Sequence, residues 1–469
     1  MTDLPVAAVL DQVDADLDGS LKRLFDLLSI PSISTDPAYK PDVERAADWC
    51  VRELEGLDFS AGKRQTPGHP MVVAHHPGPN ADGVKRAPHV LYYGHYDVQP
   101  AEPLELWDAP PFEPQLIDAE RGKRIVARGA VDDKGQVMTW IEALRAWKTV
   151  HGAPPCEVTV LLEGEEETGS PSLEPFLIAN QEELSRADVA IVCDTPMWSM
   201  TKPAITWLLR GMCYVEITLE GPSHDLHSGM YGGAVLNPIN ALAGIIGRLH
   251  DDQGRVQIPG FYDAVEEPPA EVKANWAGLG FDEAAFLASV GLTVPHGEAG
   301  RSPLERMWSR PTADVNGIWG GYTGEGSKTV IAAKASCKLS CRLVPNQDPM
   351  QVAAGIETFF KAHAPKDAKL SFRFFGRSPG LKAATDTAYF KAAEQGLTDI
   401  FGVAPALMGC GGSIPVVGSM QRLLNLDSLL IGFGLDDDRM HSPNEKFEQA
   451  CLHLGIRSNA AILGRLAII

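Results

Sequence analysis

The chain has 469 residues, 44% hydrophobic and 22% charged, with 45 Gly and 35 Pro, a globular composition that excludes disorder, collagen-like repeats and simple coiled coil. Its 61 Asp and Glu against 41 Lys and Arg give a formal net charge of −20, a field that repels phosphate backbones and argues against a nucleic-acid partner. Two domains are expected at this length, and no apolar run reaches the ~18 residues needed to cross a bilayer.

The N-terminal stretch MTDLPVAAVLDQVDADLDGS carries acids where a secretory signal needs basic residues, so a cytoplasmic location is expected. Residues 41–56 form a predicted helix, with Pro41 in its first turn and Val43, Ala46, Ala47, Cys50, Val51 and Leu54 on one face. Predicted strands follow at 71–75, 88–94, 124–128, 156–162 and 188–193, and a helix at 135–148 lies between two of them. Strand–helix alternation with nearly continuous apolar strands predicts a largely parallel sheet buried on both faces. From about Gly211 the pattern changes. Segments 212–220 and 329–344 read as longer, partly amphipathic strands, with helices at 237–250 and 349–362. The Pro-, Gly- and Trp-rich stretch 259–325 shows no clear periodicity and is read as an elaborated insertion. Alternation resumes with a helix at 386–401, a strand at 428–433 and a closing helix at 446–466. The eight cysteines show no paired spacing. Cys337 and Cys341, four apart in a predicted strand, would lie ~13 Å apart, too far for a disulfide, so reduced thiols are expected.

The chemistry sits at the strand ends. His95 and Asp97 follow HVLYYG, Asp132 and Asp133 follow RIVARGAV, Glu165, Glu166 and Glu167 follow VTVLLEG, Asp194 follows ADVAIVC, and His441 follows SLLIGFG and an acidic turn. Open α/β sheets bind ligands beyond the carboxyl ends of their strands. Taken singly, each residue has an ordinary reading: the glutamates as a solvated turn favoured by a helix N-terminus, the Asp pair as turn chemistry, Asp194 as a strand terminator. Taken together they would repel strongly unless a multivalent cation neutralised them. Two His and several carboxylates suit zinc, or Mn²⁺ or Co²⁺, and fit a two-metal site with one bridging carboxylate. Adjacent Glu166 and Glu167 point opposite ways in extended chain, so one can bind metal while the other faces the water. Asp97 is placed to orient the His95 imidazole.

The segments GHYDVQP (94–100), ARGAVDDKGQ (127–136), EGEEETGS (163–170), VCDT (192–195) and MHSPNE (440–445) resemble those of the co-catalytic dizinc peptidases and deacylases. That group includes carboxypeptidase G, acetylornithine deacetylase, succinyl-diaminopimelate desuccinylase and aminoacylase. LLRGMCYVEI (208–217), DLHSGMYGG (225–233), CRLVPNQ (341–347) and GGSIPV (411–416) look more specifically like the cytosolic non-specific dipeptidase and carnosinase branch. The resemblance runs from about residue 20 to the C-terminus. It implies a three-layer α/β catalytic domain with a mostly parallel sheet, formed by 1–208 and 385–469, and an inserted α+β dimerisation lid at 209–384. It implies two Zn²⁺ per subunit, with Asp132 bridging, His95 and Asp194 completing one site, and Glu167 and His441 the other. By the same resemblance Glu166 is the general base acting on the bridging water, Asp97 clamps His95, and the peptide joining Asp132 to Asp133 is cis. Arg342 would hold a substrate carboxylate, with Ser413 and Thr329 as further substrate contacts. His227 would reach across a homodimer to the partner's oxyanion.

Two positions depart from the branch pattern. Cys410 stands immediately before GGSIP where a Glu is common, and FFGRSPG, with Arg377, replaces a second substrate-facing His near 376. The expected activity is hydrolysis of the amide bond of dipeptides or short peptides with a free C-terminal carboxylate. An N-acyl-amino-acid deacylase on the same fold is the alternative, and a non-catalytic zinc-binding protein a more distant one.

Overall fold

The computed structural model describes residues 6–411 and 415–469. The chain divides into two compact units, one of Met1–Trp207, Ala383–Met408 and Pro415–Ile469, the other of Leu208–Lys382 and Gly409–Ile414. The segment 409–411 groups with the second unit. Its backbone explains this: the Arg210 amide donates to the Cys410 carbonyl at 3.0 Å, and a Cβ on Gly409 would meet the Cβ of Trp308 at 2.4 Å.

The first unit is built on a mixed sheet. Its strand order is Ser60–Arg64, Met71–His76, Glu157–Glu163, His89–His95, Val189–Val192, Ser428–Leu430, Ala204–Leu209. The centre is parallel, His89–His95 pairing in parallel with both Glu157–Glu163 and Val189–Val192, and Val189–Val192 with Ser428–Leu430. These four strands are buried almost throughout, as continuous apolar runs require. The helix Lys134–His151 buries most of its circumference, including Val137, Met138, Trp140, Ile141, Leu144 and Trp147. Trp140 stacks on Tyr92 of the central strand at 4.9 Å, and the helix stops at Gly152, whose φ of 83° suits glycine. Gln449–Leu466 packs on this helix and on Ala388–Phe401.

Two expectations for this unit are corrected. The strand expected at 124–128 is Gly122–Val126, and it lies in a separate three-stranded antiparallel sheet with Gln115–Ala119 and Lys446–Glu448. Only Ile125 of its five residues is buried, too little apolar surface for a place in the central sheet. The closing helix starts at Gln449, because Lys446–Glu448 is the third strand of that small sheet.

The second unit carries a four-stranded antiparallel sheet ordered Thr312–Gly320, Lys334–Leu343, Gly211–Glu220, Lys369–Ser378. Burial alternates along Gly211–Glu220, and Cys213, Val215, Ile217 and Leu219 join Leu339, Ile356 and Phe360 in one core. The strand expected over 329–344 is interrupted. Val330–Ile331 pairs with Leu226–His227, and Lys334–Leu343 forms the sheet strand. The aperiodic stretch 259–325 contains helices Ala270–Ala277 and Glu283–Ser289 and supplies the edge strand Thr312–Gly320. A register shift between Val315 and Gly317 breaks the alternation there. No disulfide joins the cysteines. Among the described residues, no helix is long and apolar enough to cross a membrane.

Candidate active site

His95 ends the central strand of the first unit and is fully buried. The residue before it must be glycine: a Cβ on Gly94 would come within 2.6 Å of Val137 and 2.9 Å of the Asp133 carboxylate. The His95 amide donates to Asp133 Oδ2 at 3.1 Å.

Asp132 arrives from the other sheet, on the loop after Gly122–Val126, and Glu445 shapes that loop. One Glu445 oxygen accepts the amides of Val131 (2.9 Å) and Asp132 (3.0 Å). The other accepts the Gly129 amide (2.9 Å) and the buried Arg128 guanidinium (2.7 Å). The peptide between Asp132 and Asp133 is cis. Glu445→Ala would leave four buried donors without their acceptor. It is expected to destabilise the protein by about 3–5 kcal/mol, the cost of breaking a buried pair. Glu445→Gln keeps part of the acceptor capacity and should fall in between, as chemical denaturation would show.

His95 Nε2 lies 3.2 Å from Asp132 Oδ1, and His441 Nε2 lies 2.8 Å from Asp132 Oδ2 and 3.4 Å from Glu167 Oε2. Ligand-type atoms of His95, Asp132 and Asp194 all fall within 4.8 Å of one another, as do those of Asp132, Glu167 and His441. The two triads share Asp132. Asp97, fully buried, faces His95 Nδ1 with its carbonyl at 3.1 Å and its carboxylate at 3.4 Å. Its carboxylate also accepts the Ser34 hydroxyl (2.6 Å) and the amides of Glu166 (3.3 Å) and Glu167 (3.1 Å). Asp97 thus fixes one imidazole and the turn Glu166–Thr168 together.

The electrostatics call for a cation. Burial, then Asp132, Glu166 and Glu167, push the Asp194 carboxyl above its usual range, against the opposing pull of His95. Burial and the neighbouring carboxylates likewise raise Glu166, again opposed by His95. Hydrogen bonds to Asp132 and Glu167 raise His441 to about 10, so protons stand where carboxylates converge. Glu167 Oε2 accepts from Gln99 at 2.7 Å, while its Oε1 is buried with no hydrogen-bond partner among the described residues. Two imidazoles and three carboxylates, one with an orphaned oxygen, form a donor set that fits divalent ions of the zinc type.

The other expected residues lie in the second unit. Arg342 is half-buried on Lys334–Leu343, cross-strand from Thr312 and Met212. His227 is exposed on Leu226–His227, and its Nδ1 accepts the Gly229 amide at 3.0 Å. Thr329 is exposed, its carbonyl accepting the Ser228 amide at 3.0 Å. Arg377 lies over Phe374, 5.1 Å from the ring centre, and Cys410 ends Ala406–Cys410. Ser413 lies outside the described residues.

Sequence reasoning assigned no role to Ser34, Gln99, Arg128, Glu445 or Arg210. Burial and the adjacent Arg342 depress Arg210 to about 10, and its Nε is buried without a partner among the described residues. Gln99, Arg128, Arg210 and Glu445 all sit inside the quoted motif segments, which was the available signal.

The model of "Peptidase family M20/M25/M40" matches residues 91–465. The Cys-Gly metallodipeptidase dug1 of Schizosaccharomyces pombe is 33% identical over 470 residues, covering 97% of each chain. The human Beta-Ala-His dipeptidase is 30% identical over 459 residues, covering 94% of this chain and 89% of the relative. Among solved structures, the dipeptidase Dug1p of Saccharomyces cerevisiae matches with a TM-score of 0.78 at 28% identity over 99% of both chains. The metallo-carboxypeptidase Sso-CP2 of Sulfolobus solfataricus matches at 0.80 and 30%, over 96% of this chain and 99% of that one.

Proposed function

The chain belongs to peptidase family M20/M25/M40 and is a metallodipeptidase, and we propose that it works with two Zn²⁺ ions on dipeptides with a free C-terminal carboxylate. The observation that supports this most directly is the pair of ligand triads sharing Asp132. His95 and Asp194 would hold one ion, Glu167 and His441 the other, with Asp132 between them. When bound, such ions polarise the scissile carbonyl and supply an activated water; Mn²⁺ or Co²⁺ could serve in the same donor set.

The protein's own groups do the rest. Glu166 takes a proton from the attacking water and returns it to the leaving amine as the C–N bond breaks. Asp97 holds the His95 ring by its Nδ1 side, leaving Nε2 toward Asp132. Arg342 offers a planar donor pair to the substrate carboxylate, and Arg342→Ala is expected to raise KM for dipeptides far more than for their C-terminal amides. Equal losses on both would show that Arg342 does not read that group.

The active form is a homodimer through the second unit, and the enzyme is cytoplasmic. Apolar side chains at Val315, Ile318 and Trp319 are exposed on the edge strand Thr312–Gly320, a surface suited to a second copy. A substrate panel with added Zn²⁺, Mn²⁺ and Co²⁺ tests the activity. Xaa-Gly and β-alanyl dipeptides should be cleaved, and turnover of N-acetyl or N-succinyl amino acids alone would favour the deacylase instead.

A further inference from the structure

A second His and carboxylate cluster lies at the opposite edge of the same sheet. His75, His89 and Glu157 stand on three neighbouring strands, in pairing positions that bring them to one place: His75 opposite Thr159, and His89 opposite Glu157. His89 begins the strand that His95 ends, so about 20 Å of extended chain separates this cluster from the active site.

Two of its distances are close to those of co-ligands. Glu157 Oε1 lies 3.7 Å from His75 Nε2 and 3.5 Å from His89 Nδ1, too long for good hydrogen bonds. Three ligands held at the usual zinc distances in tetrahedral array would be roughly 3.3–3.4 Å apart. Ligand atoms of all three residues fall within 4.8 Å of one another.

The far side of each ligand is already tied. Thr159 Oγ1 sits 3.1 Å from His75 Nδ1 and 2.8 Å from His89 Nε2. One hydroxyl oxygen can accept from both rings; in that tautomer the ring protons sit on His75 Nδ1 and His89 Nε2, and the lone pairs of His75 Nε2 and His89 Nδ1 face Glu157. The second Glu157 oxygen accepts the Asn80 side-chain amide at 2.9 Å. Buried partners that orient an imidazole and a carboxylate in this way are the usual support of a metal site. The site is open on one side, the His75 side chain being 39% exposed, so an ion can enter and keep a water as fourth ligand.

We propose that His75, His89 and Glu157 form a third metal site, selective for Zn²⁺ or a similar borderline divalent ion, that clasps three strands of the sheet remote from catalysis. It does not rest on the two-ion reading of the active site, because the test is a difference in metal count.

Wild-type enzyme, His75→Gln and Glu157→Gln are stripped with chelator, reloaded with Zn²⁺, gel-filtered and analysed for zinc. Wild type should retain one more zinc per chain than either variant, at equal dipeptidase turnover. Titration calorimetry should show the missing site as micromolar or tighter, and added Zn²⁺ should raise the unfolding temperature of wild type more than that of the variants. His75 and Glu157 are partly exposed, and circular dichroism of both variants verifies their fold. Equal zinc content in all three proteins, or a difference appearing only at millimolar Zn²⁺, would overturn the assignment.

Discussion

Replacing Glu166 by glutamine is expected to lower turnover at least ~10²-fold while metal content and fold stay as in wild type. The side chain is half-buried at the start of the turn Glu166–Thr168, and the Asp97 carboxylate grips the amides of Glu166 and Glu167. An amide of the same shape leaves that backbone anchor untouched. What it removes is the capacity to take up and return a proton. Glu166 also falls in neither ligand triad, so its loss should not release an ion. Asp132→Ala provides the contrast, since Asp132 belongs to both triads and its removal should empty the site. Steady-state kcat on a dipeptide, with zinc analysis of the same samples, distinguishes the two. A Glu166→Gln protein that loses metal in step with activity, or keeps kcat within tenfold of wild type, would remove Glu166 from the role of base.

The residues of this site stood out in the sequence because they are local events on a regular background. A polar residue that interrupts an apolar strand marks the strand's end: His95 ends a central strand of the sheet, and Glu167 and Asp194 follow two others. Asp132 was legible by the same signal for a different structural reason. Its strand lies in the small antiparallel sheet, and only the loop gripped by Glu445 delivers it to His95 and His441. No local pattern announces that grip, because Glu445 is 313 residues from Asp132 along the chain. The edge strand Thr312–Gly320 was hidden by its register shift at Gly317 and by exposure of most of its side chains. Lys446–Glu448 escaped notice because a three-residue strand running straight into an 18-residue helix carries too few residues for a period of two to show. Arg210 illustrates a further limit. A guanidinium matters here for being partly buried with the charge of another guanidinium nearby, and that proximity cannot be read from either position alone.

His227→Ala is expected to lower kcat by about 10²–10³-fold, the range for losing one donor to an oxyanion, with zinc content unchanged. Its surroundings suit a donor. Nδ1 accepts the Gly229 amide, so in the neutral ring the proton sits on Nε2, which is left to donate. The side chain is exposed in the second unit, on a short strand paired with Val330–Ile331. In the proposed homodimer it serves the active site of the other subunit, and this has a consequence that no role within one chain would share. Glu166→Gln and His227→Ala homodimers should each be nearly inactive, the first for want of a base and the second for want of a donor. A mixed dimer has one site with Glu166 intact and His227 of the partner subunit intact. Its other site lacks both. Co-expression under separate tags, followed by isolation of the doubly tagged species, should therefore restore activity up to about half of wild type by site counting. If His227 instead acted within its own chain, each site of the mixed dimer would carry one of the two lesions, and the isolated heterodimer would stay as inactive as its parents.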